Sequence, residues 1–282
     1  MRTVATAIAV LAAMTMGLTA QDNLAKTAKE TSAKYQDCVV HVTATLKIEA
    51  SGMGMMMGQG NEQKMETIGT IVDPSGLTVV SLSRMDPTSM FAGMSLGGEG
   101  ENQEISAGSQ FSDVKIRLAD GTELPAKLIM KEPDLDLAFV IPETADKGKK
   151  YTYLDLTDSG TADVLEDLFT LDRFGKVLNY KPAISKMYII GVVTKPKLIY
   201  AVNDASDLGV PAFNAAGKLV GICTLKISQE NDRGIMAMAT GGGMHPIVMP
   251  AADVLDTAKQ ALAKKDDNKE DKEANKKAKP KK

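Results

Sequence analysis

What this 282-residue chain lacks narrows its reading before any motif is considered. It has no tryptophan, and aromatics make up only 4% of it, so a core must be built from Val, Ile, Leu, Ala and Met. Two cysteines, Cys38 and Cys223, are too few for a disulfide-dense scaffold. Two histidines, His41 and His245, with no Cys/His cluster around them, argue against structural zinc. A net charge of −3 is too mild to imply a nucleic-acid or acidic-substrate partner. No run is long enough for a comfortable membrane span. The longest apolar run, Val4 to Leu18 behind Arg2, ends in Leu18-Thr19-Ala20 and reads as a cleavable secretory signal over residues 1–20. No cysteine sits near that cleavage point to take a lipid. The expected mature chain starts near Gln21 and is periplasmic or secreted.

What is present is a succession of short apolar runs separated by turn signals. Asp22 to Ala33 is helix-compatible, and Tyr35 to Ile48 alternates as a first strand. Thr67 to Val72, the turn Asp73-Pro74-Ser75-Gly76 and Leu77 to Leu82 predict a hairpin, since Pro at the second position and Gly at the fourth suit a type I turn. Asp86 to Ser112 is rich in Gly, Ser, Met and acids and predicts a long surface loop. Val114 to Leu118, Asp120-Gly121 and Leu124 to Met130 predict a second hairpin, and Leu135 to Ile141 a further strand. After the polar connector Glu143 to Tyr151 the pattern resumes with Asp167–Leu171, Met187–Val193, Lys197–Ala201, a hairpin over Val210–Cys223, and Gly234–Ala239. Pro250 to Leu262 then places Val254, Leu255, Ala258 and Leu262 on one face of a helix. Many short strands with regular turns argue for an all-β sandwich or barrel.

The stretch Ala205 to Cys223 resembles the segment of trypsin-like serine proteases of the HtrA/Deg type that carries the nucleophile. Asp207, Gly209, Pro211, Asn214, Gly217, Val220, Gly221 and Ile222 fit that pattern. Leu208 stands at the serine position, Ser206 at the first glycine and Val210 at the last. Gly69 to Ser83 resembles the family's hairpin that ends in the catalytic histidine, which puts Ser83 at the histidine position. Asp134-Leu135-Asp136-Leu137-Ala138 resembles the strand bearing the triad acid, so Asp136 is the acid that is retained. The likeness covers roughly Tyr35 to Lys264. It implies two six-stranded-type β-barrels of the trypsin-like (chymotrypsin) fold, over about 35–142 and 151–250, with a closing helix at 250–263. It also places Cys38 and Cys223 in different barrels, so two buried free thiols are favoured over a disulfide. No PDZ-type module is expected after the closing helix.

Acyl transfer in this family needs a hydroxyl nucleophile, a base within reach and donors at the oxyanion. Leu208 has no nucleophilic atom and Ser83 is no general base near neutrality. The turn of Ser206, Asp207, Gly209 and Val210 is remodelled as well. The expectation is a homologue without catalysis or cofactor that binds a peptide or protein partner through the old cleft. An active serine endopeptidase with relocated residues, for example His245 with Ser206 or Ser83, stays open; His41 reads as a strand histidine holding one hydrogen bond. The loop with Met53, Met55, Met56 and Met57 offers soft thioethers that suit Cu(I), or apolar side chains that suit subunit assembly, so a homo-oligomer is a third reading. From Lys264 to Lys282, nine lysines against five acids and no large apolar residue predict a disordered tail.

Overall fold

The computed structural model describes residues 23–50, 62–91, 95–96, 103–104, 107–144, 150–204, 207–227 and 243–277. The segment read as a secretory signal, the methionine loop, Ser206 and the strand expected at Gly234–Ala239 lie outside these residues.

A helix over residues 23–35 (α1) opens the described chain, followed by a single 3-10 turn, Gln36–Cys38. Six strands then close a first antiparallel barrel: β1 (Val39–Ala50), β2 (Glu62–Ile71), β3 (Thr78–Ser81), β6 (Ala107–Arg117), β7 (Glu123–Glu132) and β8 (Leu137–Pro142), in the order β1-β2-β3-β8-β7-β6. One helical turn, α2 (Leu82–Met85), follows β3, and the two-residue strands β4 (Ser95–Leu96) and β5 (Gln103–Glu104) pair outside the barrel. A second closed barrel runs β10-β11-β14-β13-β12-β9, built from β9 (Asp167–Arg173), β10 (Pro182–Val193), β11 (Ile199–Val202), β12 (Pro211–Asn214), β13 (Leu219–Ile227) and β14 (Met244–Pro250). The helix α3 (Ala251–Lys277) ends the described chain. The expected two-barrel, all-β architecture with a C-terminal helix is what the chain adopts.

Strand alternation sorts the apolar residues into three cores. Val40, Val42, Val80, Ile116 and Val140 fill the first barrel. Leu168, Met187, Ile189, Val202, Val220 and Val248 fill the second. The opposite faces of the same strands supply the seam between them, where Val79, Phe139 and Ile141 meet Phe169, Leu171, Phe213 and Ile222. Because β8 is buried on both faces, Leu137 to Ile141 reads as an unbroken apolar run rather than an alternating one. Helix α1 packs on the same seam through Ala28, Leu24 and Tyr35, and the Tyr35 ring stacks on Phe213 with centroids 6.0 Å apart.

Two boundaries differ from expectation. Strand β6 starts at Ala107 instead of Val114, because Ala107 to Ser112 pairs with the outer half of β1, Thr45 to Ala50. Its Gly, Ser and Gln have little β-propensity; the long partner strand supplies the order. Asp113, with φ 49°, marks the irregularity where the two halves of β6 join. Helix α3 continues to Lys277, past Lys264, where a disordered tail was expected to begin. The run is rich in Lys and has no Gly or Pro before Pro280, so nothing in it breaks the helix. The face that packs on the seam core ends at Ala261 and Leu262.

Candidate functional site

The residues matched to the family's triad converge on the seam. Asp136 follows a 3-10 turn, Pro133–Leu135, whose proline pre-sets the backbone, and sits in the left-handed region at φ 55°, which an Asp tolerates better than most residues. Its carboxylate turns inward and accepts three hydrogen bonds. Oδ1 takes the Ser83 backbone N–H at 2.7 Å, and Oδ2 takes the Ser81 hydroxyl at 2.7 Å and the Leu225 backbone N–H at 2.9 Å. Leu225 belongs to the second barrel, so this acid joins the two barrels. Ser81 Oγ also lies 3.0 Å from Ser83 Oγ and meets the Arg84 N–H at 3.4 Å as the N-cap of α2. Burial pushes the Asp136 carboxyl above its ordinary value, against the pull of the donors from Ser83, Ser81 and Leu225. Ser81, which no family motif singled out, fills acceptor capacity that an orienting acid would turn toward an imidazole.

The turn at the nucleophile position lies against the other side of the seam. Leu208 is buried, with 5% of its surface exposed, and Val210 is buried beside it. Gly209 has φ +85°, and a Cβ there would stand 2.4 Å from the Ile68 carbonyl oxygen, so both conformation and space demand glycine. Thr70 Oγ1 donates to the Gly209 carbonyl at 2.8 Å, tying the turn to β2. The Gly209 N–H donates to Cys223 O at 2.8 Å, and the Cys223 N–H to Val210 O at 2.9 Å. No hydrogen bond among the described residues joins either histidine to Ser83. His245 is exposed on β14, opposite Lys226. His41 donates through Nε2 to Phe174 O at 3.1 Å, with Nδ1 3.0 Å from Glu66, and burial lowers its pKa against the pull of Glu66. It is a strand histidine with partners, as its sequence position suggested.

Beside the turn lies a cavity of about 260 Å³ whose lining includes Thr170, Asp172, Lys186, Asp204 and Asp207. Burial, together with a hydrogen bond from and the charge of Asp207, pushes the Asp172 carboxyl up to about 7, while the Arg173 backbone N–H pulls the other way. Nothing in the sequence links these two acids, which are far apart; Asp207 lies in the turn matched to the nucleophile segment and Asp172 in no motif. A second constellation was equally silent: Lys131 Nζ lies 2.8 Å from Ser109 Oγ and 2.7 Å from Asp86, and Ser109 donates to the same carboxylate. The spacing is that of a serine–lysine dyad. Burial acts upward on Asp86, but donors from Lys131, Ser109 and Thr88 hold its carboxyl below the ordinary value, so a carboxylate faces the ammonium.

Cys38 and Cys223 are free and fully buried. Burial pushes the Cys38 thiol up to about 12 and the Cys223 thiol higher still, so both are inert as nucleophiles. Among the described residues no group of three His, Cys, Asp or Glu side chains is arranged to hold a metal, and no helix is long and apolar enough to cross a membrane.

No family model matches the chain. In sequence it is 26% identical over 200 residues to a probable periplasmic serine endoprotease, DegP-like, from Bartonella henselae. That alignment takes in 68% of this chain and 37% of the relative, so the chain spans a little over a third of that protein's length. Among solved structures it is similar to the MamO protease domain of Magnetospirillum magneticum in its apo form, at 17% identity and a TM-score of 0.46, covering 79% of this chain and 97% of that one. With two closed six-stranded antiparallel barrels and this sequence likeness, the chain is similar to trypsin-like serine proteases of the HtrA type.

Proposed function

We propose that this chain is a secreted, catalytically inactive trypsin-like homologue that binds a peptide or protein partner through the old cleft. One observation carries the inactivity: the retained acid, Asp136, is tied off by Ser81, Ser83 and Leu225. Leu208 at the nucleophile position supplies no hydroxyl, and Ser83 at the histidine position supplies no imidazole. Loss of single triad members already removes most catalysis in such systems. A relative described as a probable periplasmic endoprotease acts on polypeptides outside the cytoplasm, which supports both the compartment and a polypeptide partner. Exposed apolar residues aligned on β10, Ile184, Tyr188 and Ile190, with Phe174, Val177 and Leu178 at the β9–β10 turn, support a protein contact.

The Ser109–Lys131 contact favours one alternative, hydrolysis at a relocated dyad. Asp86 opposes it, because its carboxylate pairs with the Lys131 ammonium at 2.7 Å, and an ammonium has no lone pair to take a proton from serine. One experiment decides between them. Purified protein is treated with a fluorophosphonate serine probe, and fluorescent casein is followed by anisotropy and by gel. The expected result is binding of casein, no cleavage and no labelling. Stoichiometric labelling mapped to Ser109, or to any other single serine, overturns the inactive reading.

A further inference from the structure

We infer that Asp172 and Asp207 form a pH-operated latch that fastens the turn at residues 207–210 to β9. Asp207 directly precedes Leu208 and Gly209, the residues seated in the seam, and Asp172 projects from the neighbouring strand with 7% of its surface exposed. Both side chains line the cavity, and Asp207 acts on the Asp172 carboxyl through a hydrogen bond and its charge. Two carboxylates have no proton to donate, so the contact holds only while one proton is shared between them.

Among the described residues, no cation on the surrounding elements compensates a second negative charge. On β9, the Arg173 backbone N–H donates to Asp172 at 2.6 Å, but its guanidinium points to the carbonyls of Val39, Gln36 and Tyr180. On β10, Lys186 reaches the cavity wall yet pairs with Asp167 at 2.9 Å. Asp204, after β11, adds another negative charge at the cavity. From β13 comes only the Cys223 thiol, which burial keeps protonated. β12 presents no charged side chain there.

Below neutrality the shared proton closes the latch. As it leaves, two charges face each other with no counter-ion among the described residues, and the cavity of about 260 Å³ gives the Asp207 side chain room to swing away. The turn then loses its tie to β9 while keeping those to Thr70 and Cys223. This device belongs to the turn, whatever the cleft binds.

The test is a carboxyl-carbon NMR titration of the full chain from pH 4 to pH 9, with the Leu208 and Gly209 amides followed in parallel. The Asp172 carboxyl is expected to titrate near neutrality. Both amides should move with that midpoint, and the movement should vanish in Asp172→Asn and in Asp207→Asn. Titration of both carboxyls in the ordinary range near 4, or turn amides that move unchanged in the two variants, overturns the latch.

Discussion

Two buried carboxyls flank the same turn and have opposite surroundings. Asp136 faces donors: two backbone N–H groups and a serine hydroxyl. Asp172 faces another acid and one backbone N–H. Burial raises both, but only Asp136 has a site prepared for a negative charge. The lesson is that a buried acid can be held in place because the backbone around it depends on its carboxylate. An acid outside every motif, by contrast, can be the group that still responds to pH.

Replacing each acid separates the two cases most sharply. Asp136→Ala leaves the Ser83 and Leu225 N–H groups and the Ser81 hydroxyl without an acceptor in the seam, at an expected cost of about 3 kcal/mol in urea unfolding at pH 7. Asp172→Asn should do the reverse above neutrality. A carboxyl raised from its ordinary value to about 7 destabilises the folded state progressively as pH climbs between those two values. The neutral amide escapes that loss, so its stability relative to wild type should rise from pH 4 to pH 8, by up to a few kcal/mol. Equal pH profiles for the two proteins would erase the distinction between the sites.

The side chain between the acids gives a smaller effect. Leu208→Ser removes buried apolar surface and adds a hydroxyl, so a loss of about 2 kcal/mol is expected, with no peptide cleavage. Cleavage by that single variant would mean that a base already faces the turn. Smallest of all, deletion of Lys264–Lys282 should leave the melting temperature nearly unchanged, because the packed face of α3 ends at Ala261 and Leu262. A drop of several degrees would show the end of α3 supporting the seam.

The hairpins and the placement of Asp136 were legible because they are local. Asp73-Pro74-Ser75-Gly76 closes as expected, with the Gly76 N–H on Asp73 O at 2.9 Å, and Asn214 to Gly217 closes with a corresponding bond at 2.8 Å. The first half of β6 was hidden because its order comes from β1 rather than from its own residues. The Ser81 donor, the Asp172–Asp207 pair and the Ser109–Lys131–Asp86 cluster were hidden for a related reason. Each depends on which strands become neighbours in a closed barrel, and period-two patterning says which face a residue takes without naming what it meets.

The bonds that stitch the seam have a consequence for how the molecule comes into being. Thr70 reaches Gly209 across 139 positions of chain, Arg173 reaches Val39 across 134 and His41 reaches Phe174 across 133, whereas hairpin contacts close over far shorter spans. Closing such long loops costs entropy before it returns any contact energy, so these links form after the hairpins that carry them. The seam is therefore the last part of the protein to form. A folding chain passes through a stage with both barrels begun and the seam between them still open.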